Sequence, residues 1–461
     1  MHAAFRDRFF EAMGDGVAFL AAPPEVLRNS DTEYRYRPDS TFWQLTGLSE
    51  PEAVAVLLRE GKERRFILFL RPRNPLMEMW NGRRLGPEGA RRQLGATAAW
   101  SIEQFPARIE ELLKGHERLF LPLDGGALQT QVLGVLNRLV RKRRQPGPLP
   151  AELRDVRRLA GELRLRKTPD ELALMEQAAA VTGEAFREVF RHTRPGVAEY
   201  QLRAVFPLVY GLHGGDWAFE TIVATGANAC VLHYVSCRDT VREGDLVLFD
   251  AGAEMGHFAA DVTRTIPASG RFSKHQEALY HIVLAAHQAA VETVAPGATL
   301  DEVHGAAARV ITQGLLDQGL LKGRLETLMA RQAYKRWFPH GTSHWLGLDV
   351  HDTGDYALDV APRRLEEGMV VTVEPGLYLP ADDRKVPEKW RGTGIRIEDD
   401  VLVTTSGRRL LTEDIPRTPR EIEAAMQTRS RYLKALPQPK TPAAPVAAAP
   451  AARRRQGSVG K

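Results

Sequence analysis

The chain has 461 residues, 43% of them apolar and 26% charged, a length and balance that fit two domains with full hydrophobic cores. Its formal net charge of +5 does not point to a nucleic-acid-binding body, because Lys440, Arg453, Arg454, Arg455 and Lys461, with no acid from Pro437 onward, account for all of it. Cys230 and Cys237 are too few for a disulfide framework and no window approaches the ~18 apolar residues of a membrane span, so a cytoplasmic protein that binds neither membrane nor nucleic acid is expected.

Residues 1–150 are expected to form an α/β domain. Short apolar runs at 17–20, 53–58, 65–70 and 119–121 have strand character, while 87–94, 102–113 and 128–140 have helical spacing. Met79-Trp80-Asn81-Gly82-Arg83-Arg84 predicts an exposed turn that sets an aromatic beside two cations, a candidate lid or subunit contact. From Arg141 to Pro150 the chain is basic and proline-rich, which is linker chemistry, and 151–168 is expected to continue the linker. Thr168-Pro169-Asp170-Glu171 then opens a helix with a capping hydroxyl, a proline at the first helical position and a glutamate able to reach back to the cap. The second domain is expected over 169–436, with helices at 169–191, 198–211, 274–294 and 300–319. Residues 437–461, rich in Pro and Ala and poor in large apolar groups, are expected to be disordered.

The chemistry gathers in the second domain. Glu243-Gly244 predicts a turn, 246–249 a short strand, and Met255-Gly256 a turn before a second strand through Asp261 to Ile266, so that Asp250 and Asp261 lie on the two arms of a hairpin. Glu367-Gly368 opens a second copy, a β-rich run followed by Glu374-Pro375-Gly376, whose partner strand carries Glu398. Facing hairpins would bring Asp250, Asp261, Glu374 and Glu398 together. Four carboxylates in a small volume raise one another's pKa, and one or two divalent cations are the natural compensation. Between the hairpins, Pro339-His340-Gly341-Thr342-Ser343-His344-Trp345-Leu346-Gly347-Leu348-Asp349-Val350-His351-Asp352 places three of the chain's 13 histidines within a dozen residues. Four carboxylates with one imidazole make an oxygen-rich set that suits manganese, with cobalt, iron or zinc as alternatives.

Asp250-Ala251-Gly252, Asp261 in Asp-Val-Thr-Arg-Thr, His344 in Ser-His-Trp-Leu-Gly-Leu-Asp-Val-His-Asp, Glu374 in Val-Glu-Pro-Gly-Leu-Tyr and Glu398 in Gly-Ile-Arg-Ile-Glu-Asp-Asp together resemble the pita-bread metallopeptidases, most closely their bacterial aminopeptidase P (Xaa-Pro aminopeptidase) branch. Asp31-Thr32-Glu33-Tyr34, Phe42-Trp43, Leu45-Thr46-Gly47 and Glu50-Pro51-Glu52-Ala53 extend the resemblance into the first domain. It implies an N-terminal α/β domain followed by a pseudo-twofold α+β catalytic domain of the pita-bread type. It also implies a two-metal hydrolase, most closely matched to manganese, that cleaves the bond between an N-terminal residue and a following proline and assembles as a homo-oligomer, a dimer or tetramer. By the same resemblance Asp250 would chelate one ion, His344 and Glu374 the other, and Asp261 and Glu398 both, with a bridging hydroxide as nucleophile and Glu374 carrying a proton to the departing nitrogen. His233 would face the substrate, His351 would stabilise the tetrahedral intermediate, His340 would contact the proline end or a supporting group, and Arg396 would orient a carboxylate such as Asp250. Tyr378 either lines the pocket or packs. A prolidase that cleaves only dipeptides, and a pita-bread binding protein without catalysis, are the competing readings.

Overall fold

The computed structural model describes residues 1–142 and 147–437. The expectation of disorder for 437–461 therefore falls, beyond Pro437, outside the described residues.

In the first domain six strands form one mixed sheet in the order Ala98–Ser101, Glu63–Leu70, Val54–Glu60, Gly16–Ala21, Arg118–Leu121, Glu152–Asp155. Successive side chains of a strand point to opposite faces, so the sheet has two apolar sides. Val17 and Phe19 pack with Ile109, Leu112, Val132 and Leu139 of helices Phe105–Leu113 and Ala127–Arg141. Ala18 and Leu20 pack with Phe5, Phe9, Val156 and Ala160 of helices His2–Met13 and Val156–Arg164.

Three expectations are corrected here. Residues 151–168 are not a linker: Glu152–Asp155 is an edge strand parallel to Arg118–Leu121, and Val156–Arg164 is a helix of the same domain. Its buried Val156 and Ala160 lie one turn apart on one face, but the surrounding charges hide that spacing. The helix expected at 198–211 is divided at Ala204 into Glu199–Arg203 and Val205–Leu212. The Met79–Arg84 stretch also differs, since a helix, Pro75–Asn81, precedes the turn and leaves Trp80 83% exposed.

In the second domain the capping box of Thr168 and Glu171 starts the helix Pro169–His192. The first acid hairpin is built in two pieces. Leu246–Ala251 pairs antiparallel with Val262–Pro267, with Asp250 opposite Thr263, and beyond Gly252 a smaller hairpin pairs Ala253–Met255 with Phe258–Ala259. Gly256 and His257, both at positive φ, make the tight turn. Only glycine fits at 252, because a Cβ there would stand 1.7 Å from the carbonyl oxygen of Ala260.

The second hairpin breaks in the same way. Val370–Val373 pairs with Asp399–Thr404 and Gly376–Leu379 with Thr393–Arg396, leaving Glu374-Pro375 and Ile397-Glu398 at the joint. Asp261, Glu374 and Glu398 thus sit where the ladders are interrupted, while Asp250 lies one residue before the end of its own ladder. The hairpins meet along 262–267 and 393–398, where Glu398 N donates to Thr263 O at 3.0 Å and Thr265 Oγ1 to Arg396 O at 3.1 Å. Helices Pro169–His192, Lys274–Thr293 and Leu300–Asp317 pack on these strands through a core that includes Phe186, Phe190, Phe249, Val283, Ile311 and Val373. The two domains touch at Trp43, from helix Ser40–Thr46, which packs with Met175, Phe258, Leu346 and Leu348.

Candidate active site

A cavity of about 480 Å³ opens over the joints of the two hairpins, and Asp250, Asp261, His344, Glu374 and Glu398 all line it. The expected ligand residues are therefore brought together. Donor atoms of Asp261, His344 and Glu398 lie within 4.8 Å of one another, and His344 Nε2 stands 3.5 Å from Asp261 Oδ2 and 3.8 Å from Glu374 Oε1. His344 Nδ1 is 3.0 Å from the carbonyl oxygen of Trp345, which can only accept. Nδ1 therefore carries the hydrogen, and the Nε2 lone pair faces the carboxylates, the tautomer a metal ligand needs.

Arg396 is too little compensation for these acids. Burial pushes Asp261 well above the usual carboxylate range, with Asp250, Asp400 and Glu374 adding to the rise. Burial likewise lifts Glu398, with Asp261, Glu374 and Asp250 contributing, and lifts Glu374 to about 7 against the opposing pull of His344 and Arg396. Asp250 Oδ1 and Asp261 Oδ1 are buried without a hydrogen-bond partner among the described residues. Orphaned carboxylate oxygens, a correctly presented imidazole nitrogen and a surplus of buried negative charge fit divalent cations.

Arg396 is the one guanidinium in this arrangement and it organises the rest. It donates to Asp250 Oδ2 at 2.6 Å, to Thr263 Oγ1 at 3.0 Å and to the Tyr378 hydroxyl at 3.0 Å. Thr263 passes its own hydrogen to Glu398 Oε2 at 2.7 Å. His340 Nδ1 donates to Gly341 O at 2.7 Å, so its Nε2 accepts from Tyr378 at 2.8 Å. Burial, with Arg396 nearby, pushes His340 down to about 4, which keeps it neutral. His351 stands edge-on to His344 with ring centroids 4.4 Å apart, and His233 is an exposed part of the cavity lining.

Sequence reasoning left Tyr378 between lining and packing. It is buried and bonds Arg396 and His340, so it supports the site from beneath. Thr263 was missed, although its place opposite Asp250 in an antiparallel pair was a usable signal. The apolar lining was missed as well. Leu232, Val235 and Val350 neighbour histidines already singled out, whereas Phe219 and Ile222 come from a segment with no local chemical signature.

The chain matches the sequence model of metallopeptidase family M24 over residues 173–405 and that of the aminopeptidase P N-terminal domain over residues 2–120. It is 40% identical over 427 residues to the Xaa-Pro aminopeptidase of Haemophilus influenzae, covering 91% of this chain and 96% of that protein. With the Xaa-Pro aminopeptidase of Escherichia coli it shares 40% identity over 425 residues, with the same shares covered. The structure of Pseudomonas aeruginosa aminopeptidase PepP superposes with a TM-score of 0.89 at 41% identity, over 92% of this chain and 97% of that one. Zinc-substituted Escherichia coli aminopeptidase P in complex with product gives a TM-score of 0.89 at 40% identity over the same shares. The chain belongs to metallopeptidase family M24 and carries the N-terminal domain of aminopeptidase P ahead of its catalytic one.

Proposed function

We propose that this protein is a two-metal Xaa-Pro aminopeptidase, hydrolysing the bond between the first residue of a peptide and a proline in second place. The observation that carries the reading is the convergence of Asp250, Asp261, His344, Glu374 and Glu398 on one cavity floor with two carboxylate oxygens left unpartnered. Asp250 would hold one ion, His344 and Glu374 the other, and Asp261 and Glu398 both. Manganese suits this oxygen-rich set, and when bound such ions acidify water and polarise a carbonyl.

The chain's own residues do the rest. Arg396 fixes Asp250, and through Thr263 it also fixes Glu398. Glu374 receives a proton from the attacking water and delivers it to the departing proline nitrogen, which has no hydrogen of its own before cleavage. His233 and His351 flank the substrate from the cavity wall, and His351 donates to the oxygen that gains charge in the transition state. His340, neutral and fixed by Tyr378, supports the proline end.

No helix among the described residues is long and apolar enough to cross a membrane. The free thiols Cys230 and Cys237 support a reducing, cytoplasmic setting. Exposed Leu76, Met79 and Trp80 on one short helix support a homo-oligomer contact.

The test is hydrolysis by metal-stripped protein, with manganese restored, of Gly-Pro and Arg-Pro-Pro side by side. Manganese-dependent release of arginine from the tripeptide is the expected result. Cleavage of the dipeptide alone would instead mark a prolidase, and inactivity on both with no metal bound would sink the reading.

A further inference from the structure

The loop that carries His351 is held from behind by charges to which the proposed reaction assigns no role. Arg164, last residue of the helix Val156–Arg164, is 3% exposed. Its Nη2 donates to Asp349 Oδ2 at 2.8 Å and to Asp352 Oδ1, and its Nη1 donates to Thr41 Oγ1 at 3.2 Å. Lys167 Nζ, also buried, stands 3.6 Å from Asp352 Oδ2. From the first domain, Ser40 Oγ donates to Asp349 Oδ1 at 2.6 Å and Arg37 Nη2 donates to Leu348 O at 2.7 Å.

The two gripped carboxylates bracket Val350 and His351, and both bracketed residues line the cavity. The loop is also closed on itself, since Asp352 N donates to Trp345 O at 2.9 Å, and Trp43 packs with its Leu346 and Leu348. Buried ion clusters are a weak source of stability, because desolvation offsets most of the Coulomb attraction. What they supply is geometry: a guanidinium with two carboxylates admits few arrangements.

We propose that Arg164 is a positioning residue for His351, acting through Asp349 and Asp352, and that Ser40 and Thr41 make the contact between domains part of the same device. The first domain then sets where His351 stands relative to the reacting carbonyl. This rests on the reading of His351 as a substrate-facing group.

The experiment is a double-mutant cycle on the manganese-loaded enzyme with Arg-Pro-Pro, comparing Arg164→Met, His351→Ala and the pair. Misplacing a reacting group by a fraction of an ångström to an ångström costs on the order of 10- to 100-fold, so Arg164→Met should lower kcat by that factor while KM moves by less than about twofold. In the His351→Ala background it should lower kcat no further, and Arg164→Lys should restore part of the loss. Should Arg164→Met not fold, Ser40→Ala with Thr41→Val weakens the same grip without stranding a charge, and it must show the same non-additivity with His351→Ala. Equal losses in both backgrounds, or a lowered melting temperature with kcat intact, would overturn the proposal. A silent His351→Ala would overturn the role given to His351 itself, and the positioning claim with it.

Discussion

Glu398 and Asp399 are consecutive, both buried, and opposite in electrostatic fate. Glu398 turns into the cavity, where burial and three neighbouring acids drive its carboxyl well above the usual range. Asp399 turns away from it. Burial alone would push Asp399 up as well, but the Arg264 guanidinium, with His287 and Arg417, carries it well below the usual range. Arg264 Nη2 and Thr412 Oγ1 both donate to Asp399 Oδ1 at 2.7 Å, and His287 Nε2 lies 3.1 Å from Oδ2. At Asp399, which faces away from the cavity, the chain supplies the counter-charge itself. Around the cavity the chain supplies one arginine for four acids, and the deficit is the mark of an external cation.

The largest expected effects test that contrast directly. Glu398→Gln should reduce peptide hydrolysis by on the order of 10³-fold or more, yet leave the metal-free protein as stable as before or more so, since it removes a carboxyl that the folded state must keep protonated or else repelled. Asp399→Asn should do the reverse to stability, costing about 3–5 kcal/mol in denaturant unfolding because Arg264 is left buried and less compensated. If Glu398→Gln destabilised the metal-free protein as much as Asp399→Asn, the two carboxylates would not differ in kind.

A pH titration of stability sharpens the same point. Above ~4.3 an unfolded chain has released protons from its glutamates, whereas the stripped folded protein still holds them on the cavity acids. The folded state then binds more protons, so its stability falls as pH rises, up to about 7 for Glu374. Manganese should flatten this slope by stabilising the ionised carboxylates. Asp399 contributes with the opposite sign, its share present at neutral pH and lost only in acid as its depressed pKa is crossed. A stripped protein whose unfolding midpoint does not change across that window, or does not respond to manganese, would contradict the uncompensated cluster.

Arg396→Lys comes next in size. A lysine cannot reach Asp250, Thr263 and Tyr378 in one plane, so kcat should fall roughly 10- to 100-fold with metal still bound, as measured by elemental analysis of the purified variant. Full activity in this variant would mean that the three-way contact is incidental.

The five candidate ligand residues were legible because each is a chemically distinctive side chain in a short local pattern, and two of them, Asp250 in Asp-Ala-Gly and Glu374 in Glu-Pro-Gly, open corresponding hairpins. Glycine two places after the acid is readable for the same reason, and at Gly252 the approach of the Ala260 carbonyl explains it. The compensation around Asp399 was not legible. Arg264 comes from a strand, His287 from a helix, and Thr412 and Arg417 from the connection that follows Leu410, and nothing local joins an arginine in one strand to a histidine in a later helix. The edge strand and helix at 152–164 were hidden by their charges, and with them Arg164, whose partners lie in the loop around His351. Sequence pattern reports what a residue is and what stands beside it, while tertiary charge pairing depends on what the fold brings opposite.

The smallest effect separates the centre of the structural cluster from its rim. Arg417 Nη1 lies 3.3 Å from Asp399 Oδ2, but its side chain is 23% exposed, whereas that of Arg264 is fully buried. Water can replace much of what Arg417 gives, and Arg264, Thr412 and His287 continue to hold Asp399 without it. Arg417→Ala should therefore cost no more than about 1 kcal/mol in denaturant unfolding and leave kcat unchanged, the range expected of partly exposed ion pairs. A loss comparable to that of Asp399→Asn would mean that the compensation is shared across all the cations rather than anchored on Arg264. The boundary between carboxylates served by the fold and those left for metal would then depend on the rim as much as on the buried guanidinium.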